Sequence, residues 1–185
     1  MTAPTAEVVP LAPDHCDALL RFFQALPEGD RTFIKEDVTD PDTVRAWTSG
    51  ETRGRRWVVL DGDDVAGYVA VIPLAGWSDH VGEVRLVVAP GRRGSGLGRT
   101  LARHALVAAV DAGLTKVVVE VVADQAAAVG LFTALGFTGE AVLVDHIRGR
   151  DGGLHDLLVL AHHVGATWSG MATVGVADDL GHTDG

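Results

Sequence analysis

The sequence predicts a mixed α/β fold in one domain, on three observations. Hydrophobic spacing switches along the chain between a period of about 3.6, the mark of a helix with one apolar face, and a period of about 2 or a solid β-branched run, the mark of a strand. Taken in order, these stretches read βααβββαβαββ. The chain has 185 residues, 47% hydrophobic and 22% charged, which is globular composition with enough length to bury roughly 70% of the unfolded surface. Its single cysteine, Cys16, allows neither an internal disulfide nor a Cys-rich zinc site, so packing must supply the core.

Val8 and Val9 form a short extended stretch, and Pro13-Asp14 opens a helix whose apolar positions are Leu19, Leu20, Phe22, Phe23 and Leu26. Pro27-Glu28-Gly29-Asp30 is expected to end it. A second helix is expected from Asp42 to Thr48, capped by Asp40 or Asp42. Arg56 to Leu60 and Val65 to Pro73 read as strands joined by the turn Asp61-Gly62-Asp63-Asp64. Val81 to Val88 is a third strand, stopped at Pro90. A Gly-rich loop leads to a helix from Leu97 to Ala112, which Gly113 closes. Lys116 to Val122 is nearly all valine, as expected of a strand buried on both faces. Asp124 to Leu135 reads as helix with Gly136 as its stop, and Phe137 to Arg148 and Leu154 to His162 as a hairpin. Residues 1–163 thus make the expected domain, and 164–185, Gly- and Ala-rich without periodicity, a loose or partner-dependent tail.

Charge and hydropathy exclude other classes. Fifteen basic residues face 25 acidic ones, a formal charge of −10, which argues against nucleic-acid binding. No apolar run approaches the roughly 18 residues of a membrane span. Met1 to Pro13 has no basic or apolar signal region, so a cytoplasmic location is expected. Arg85, Arg92, Arg93, Arg99 and Arg103 crowd into a stretch with one acid, Glu83. One basic segment in an acidic chain suits the capture of one compact anion.

That segment holds Pro90-Gly91-Arg92-Arg93-Gly94-Ser95-Gly96-Leu97-Gly98-Arg99-Thr100, between a strand and a helix, where free amides and a helix N-terminus can cradle an anion. A dinucleotide fingerprint beginning at Gly94 would need glycine at Arg99, and a Walker A loop beginning at Gly91 would need lysine at Leu97. Both fail. The glycines are expected to keep Cβ atoms out of a phosphate's way.

Arg93-x-x-Gly96-x-Gly98, entering a helix just after Leu86, Val87 and Val88, resembles the acetyl-CoA motif of the GNAT superfamily of N-acetyltransferases. Gln125-x-x-Ala128-x-x-Leu131-Phe132-x-x-Leu135-Gly136-Phe137 resembles that superfamily's second motif. The resemblance spans about Trp57 to His162. It implies a central mixed, mostly antiparallel sheet flanked by helices. It also implies that amides from Arg93 through Gly94, Ser95, Gly96, Leu97 and Gly98 to Arg99 hold the CoA pyrophosphate, with charge from Arg92, Arg93 and Arg99. Leu86 to Val88 would pair with the pantetheine arm, and the N–H near Val87 would polarise the thioester carbonyl.

Transfer of an acetyl group to an amine needs a base, because an alkylamine is mostly protonated near neutral pH. Glu83 is the candidate. Alternation places Glu83, Arg85 and Val87 on one face, and a glutamate at this spacing is the base that the resemblance to the phosphinothricin-acetyltransferase-like branch implies. The same residue also reads as a solvated carboxylate or a partner for Arg85. Phe132 departs from the superfamily's common tyrosine and has no proton to give the leaving thiolate. Gln125 is either a CoA contact or an exposed helix cap. Trp77 and His80 lie between two strands, where they could rim a cleft. His104 reads as structural, and His162-His163 lack a third ligand at metal spacing, so no metal is expected.

Glu28, Asp30, Glu36, Asp37, Asp40 and Asp42, against Arg31 and Lys35, would favour a cationic acceptor or simply form a solvated loop. Phe33, Ile34, Trp47 and Trp77 suit an apolar wall or core. The resemblance therefore implies an N-acetyltransferase using acetyl-CoA, with a small-molecule or protein amine as partner, and leaves a homodimer open. Phe132 keeps a non-catalytic CoA-binding or sensing module as the alternative.

Overall fold

The computed structural model describes residues 7–32 and 34–164. Strands β1 (Val8–Pro10), β2 (Arg55–Asp61), β3 (Asp64–Pro73), β4 (Val81–Val88), β5 (Lys116–Val122), β6 (Thr138–Arg148) and β7 (Leu154–His163) form one sheet. Its order is β1-β2-β3-β4-β5-β7-β6. Every pairing is antiparallel except β4 with β5. Helices α1 (Cys16–Ala25), α2 (Glu28–Thr32), α3 (Pro41–Thr48), α4 (Leu97–Asp111) and α5 (Ala126–Ala134) complete the fold. The expected mixed, mostly antiparallel sheet flanked by helices is the architecture observed.

One element was not expected. Pro27 ends α1, but its carbonyl accepts from the N–H groups of Asp30 and Arg31 at 3.0 and 3.2 Å, so the segment read as a breaker also starts α2. A proline is well placed at a helix start, where its missing N–H costs nothing. Of the expected tail only Val164 is described, its N–H bonded to the Thr115 carbonyl at 2.9 Å; the rest lies outside the described residues.

Two-residue alternation divides the strands between two cores. Trp57, Val59, Val69 and Val71 pack with Leu101, Ala105 and Phe132 of α4 and α5. Val58, Tyr68 and Ala70 face the other way, onto Leu19, Phe23, Val44 and Trp47 of α1 and α3. Asp40 sets the entry to α3, accepting from the backbone of Asp42 and Thr43 at 3.1 and 3.2 Å. Those bonds, with the Thr43 hydroxyl, hold its carboxyl below the usual range. The valine-rich β5 is buried at Val117, Val119, Val121 and Val122. Glu120 interrupts it, exposed on a strand expected to be covered on both faces.

The parallel pairing of β4 with β5 is short. Val81, Gly82 and Glu83 lie opposite Lys116, Val117 and Val118, and there it stops. β4 continues along β3 to Val88, and β5 along β7 to Val122. From Val84 onward the two strands therefore splay apart. Helix α4 is fastened beneath the split by Leu101, which is fully buried against the bare backbone of Gly67, where a Cβ would come within 2.7 Å of the leucine Cδ1. Leu101→Ala should lower unfolding stability by about 2–5 kcal/mol, as truncation of a buried leucine does. Denaturant melts should show a lower midpoint at unchanged slope; an unmoved midpoint would mean that α4 does not bear on the sheet as described.

Candidate active site

The splay opens a cleft of about 1030 Å³. One wall is the free edge of β4 from Val84 to Val88; the other is β5 from Val119 to Val122 with the start of α5. A strand edge without a neighbour presents unpaired N–H and C=O groups, which suit a long thin ligand that can pair as a strand does. At one end the cleft runs to the glycine loop. Gly94 and Gly96 have φ of +74° and +87°, and Gly96 caps α4. A Cβ at either would meet nothing within 4 Å. The positive φ by itself selects glycine at both positions. The helical ladder starts with the Thr100 N–H bonded to the Gly96 carbonyl at 3.1 Å. The preceding amides have no carbonyl to meet within the helix. At Gly98 a Cβ would be in ordinary contact with Leu131 Cδ2 at 3.4 Å and Val88 Cγ2 at 3.7 Å, so α4, β4 and α5 meet there without glycine being required by space.

The other end of the cleft is ionic. Glu83, on β4, is 7% exposed. Arg85 Nε donates to its Oε1 at 3.1 Å, and the Arg85 Nη1 group pairs with Glu36. The Lys35 ammonium lies 2.9 Å from Glu83 Oε1 and 2.9 Å from Glu120 Oε2 of β5. Burial alone would lower the Lys35 pKa, but hydrogen bonds and charge from Glu120 and Glu83 outweigh it and raise it above its ordinary value. The carboxylate expected as a base and the arginine expected as its partner thus share a face, as alternation requires.

Most residues expected at a CoA site do line the cleft. Leu86, Val87, Val88, Arg93, Gly94, Gly96, Gly98, Arg99, Gln125 and Phe132 are all there. Arg93 is also bonded to Asp30 of α2 at 2.5 Å. Gln125 takes the cap position of α5, but its side chain makes no capping hydrogen bond. Phe132 is buried, edge-on to Phe137 with centroids 5.2 Å apart.

The side chains of three others turn elsewhere, which leaves the expectation for the Ser95 and Leu97 amides as it stands. Arg92 turns outward to Asp61 at 2.7 Å. The Ser95 hydroxyl donates to the Arg92 carbonyl at 2.6 Å. Leu97 is buried in the core under the loop.

Trp77 and His80 also lie away from the cleft they were expected to rim. Trp77 is 96% exposed, and neither residue borders the cleft. They precede the N-terminal end of β4, where it is still paired with β5, while the cleft opens beyond Glu83. Phe33 lies outside the described residues.

The acidic loop also divides. Only Asp30 and Glu36 border the cleft. Glu28 pairs with Arg150, Asp42 with Arg45, and Asp37 accepts from Thr39. His104 packs edge-on to Trp57 at 4.9 Å, and burial pushes its pKa down. Lys35, Glu120, Tyr68 and His146 border the cleft without having been expected there. The lone charge within the valine run of β5 was the available signal for Glu120.

Residues 19–137 match the model of the acetyltransferase (GNAT) family. The chain belongs to the GNAT family. That membership places it among acetyltransferases. Streptothricin acetyltransferase of Streptomyces lavendulae is 30% identical over 128 residues, covering 62% of this chain and 67% of its own length. N-acetyltransferase 8F1 of Rattus norvegicus is 32% identical over 132 residues, 68% of this chain and 58% of its own. Among solved structures, a GCN5-related N-acetyltransferase from Kribbella flavida superposes with a TM-score of 0.76 at 24% identity, over 87% of this chain and 99% of that one. The structure of yncA from Salmonella typhimurium with its cofactor acetyl-CoA gives 0.74 at 22%, over 86% and 95%. These two likenesses concern the fold. Among the described residues of this GNAT protein, no helix is long and apolar enough to cross a membrane.

Tyr68 reports directly on the packing behind the cleft. It is the chain's single tyrosine, stacked on Trp47 at 5.7 Å and edge-on to Phe23 at 5.5 Å. Burial pushes its hydroxyl up to about 12, with Arg56 acting in the opposite direction. An ultraviolet phenolate titration should therefore show its midpoint near pH 12 in the folded protein. Between the ordinary value and that midpoint the unfolded chain alone loses the proton, so stability should fall as pH rises. A folded-state midpoint at the ordinary tyrosine value would contradict the buried stack.

Proposed function

We propose that this GNAT protein moves an acetyl group from acetyl-CoA to a primary amine by direct attack. One observation carries the reading: the β4–β5 split joins a helix N-terminus rich in free amides to a buried carboxylate, Glu83, within one cleft. Its fit to acetyl-CoA is supported by the volume of the cleft, the unpaired β4 edge and the Gly94–Gly96 turn. The acetyl-CoA held by the yncA neighbour and the acetyltransferase names of the relatives support the same donor.

In this reading the amides from Gly96 to Arg99, with Arg93 and Arg99, hold the pyrophosphate. The backbone of Leu86 to Val88 aligns the pantetheine arm. The Val87 N–H donates to the carbonyl oxygen as negative charge develops on it. Glu83 takes a proton from the incoming ammonium, directly or through water, and so frees the lone pair that attacks. Phe132 packs beside the thioester and supplies no proton, so the leaving thiolate is protonated by water. The amine acceptor meets Glu36, Glu83 and Glu120, which favour a cation.

Phe132 also motivates a second reading, a CoA-binding module without turnover. Calorimetry and a thiol-release assay with a panel of amines separate the two. Wild type should bind acetyl-CoA, and Gly96→Trp, which places a large side chain where the backbone needs positive φ, should lose that binding. Glu83→Gln should keep the affinity and lower kcat by about 10²–10⁴-fold, the usual contribution of a general base. Binding without thiol release from any amine would favour the module; unaltered kcat in Glu83→Gln would remove Glu83 as the base.

A further inference from the structure

Lys35 borders the cleft at its ionic end, where the reading above puts the acceptor. Its ammonium sits at hydrogen-bond distance from the carboxylate assigned as base, inside the cleft, with Glu120 holding it from the opposite strand. Its side chain is 46% exposed, so it is not sealed into a core. It lies between α2 and α3: Asp30 within α2 pairs with Arg93 of the glycine loop, and Glu36, next to Lys35, pairs with Arg85 of β4. The chain contains one other lysine, Lys116. Its ammonium is 2.7 Å from Glu140, and it does not border the cleft.

We propose that Lys35 is a self-modification site, acetylated on Nζ by the protein's own active site. The inference rests on the acetyl-donor reading above and adds an acceptor within the chain. The step balances without a further reagent. The Lys35 ammonium passes one proton to Glu83, and the freed nitrogen lone pair forms a C–N bond with the acetyl carbon of acetyl-CoA. The C–S bond breaks, and its electron pair leaves on sulfur. The second nitrogen proton reaches the thiolate through water, and Glu83 returns its own proton to solvent. The products are an acetamide at Lys35 and free CoA thiol.

The modification changes the cleft. Before it, Lys35 and Arg85 face Glu36, Glu83 and Glu120; after it, Arg85 faces the three carboxylates alone. An acetylated chain therefore offers a cationic amine a more negative site, from which the competing ammonium has gone. Lys35 would in this way act first as acceptor and then, once spent, as a determinant of what else binds.

The test incubates the purified chain with acetyl-CoA and no added amine, and follows intact mass and proteolytic peptides by mass spectrometry. Calorimetry on the same sample records whether acetyl-CoA binds. One acetyl group is expected on Lys35, with Lys116 unmodified. Glu83→Gln should slow its appearance by about 100-fold, as loss of a general base does. Lys35→Arg, which keeps the charge, should acquire none. Binding of acetyl-CoA with Lys35 unmodified would overturn this proposal and leave the donor reading standing. Equal labelling of Lys35 and Lys116, or undiminished labelling in Glu83→Gln, would mark reaction in bulk solution and overturn it as well. Absence of binding would overturn the donor reading and this one with it.

Discussion

The structure depends on where one parallel strand pair stops. β4 and β5 share three register positions, ending at Glu83 and Val118, and every feature of the site is arranged about that end. Beyond it β4 keeps its bonds to β3 and β5 keeps its bonds to β7, so each strand is held on one side only. A pair that continued would satisfy the exposed backbone groups and close the cleft; buried main-chain groups left unpaired are costly. The split persists because α4 and α5 pack beneath it and because the strands on either side fix both edges.

Charge is distributed by the same geometry. Read along the chain, five arginines in an acidic protein suggest a uniform basic patch. In space they have separate tasks. Arg92 and Arg93 tie the glycine loop to Asp61 and Asp30, and Arg85 anchors the carboxylates of Glu83 and Glu36. The basic segment is therefore partly neutralised by acids brought from distant positions. What remains at the loop is main-chain dipole with Arg99, while the opposite end of the cleft carries most of the acid.

The fold was legible because its signals are local. The two apolar runs of β2 and β3 with the turn between them, the valine run of β5 and the apolar face of α1 each identify an element within a few residues of sequence. The glycine loop was legible for the same reason, since positive φ and a helix start are properties of adjacent residues. Helix α2 was missed because Pro27 both ends one helix and begins the next. Trp77 and His80 were misplaced because sequence shows that a loop joins two strands, but not which end of β4 stays paired. Lys35 and Glu120 could not be joined to Glu83 by any spacing, since the three come from a loop and two strands that only the folded sheet brings together.

The two halves of the cleft are made of different material. Around the glycine loop and the β4 edge, the groups facing the ligand are largely peptide N–H and C=O, which every residue but proline carries in full. At the far end they are the side chains of residues 35, 36, 83, 85 and 120. Substitutions that respect φ and packing can accumulate in the first half without altering its chemistry, whereas any exchange in the second changes the charge that an acceptor meets. Under the proposed function, a chain built this way can drift to a new acceptor over generations while its donor stays the same.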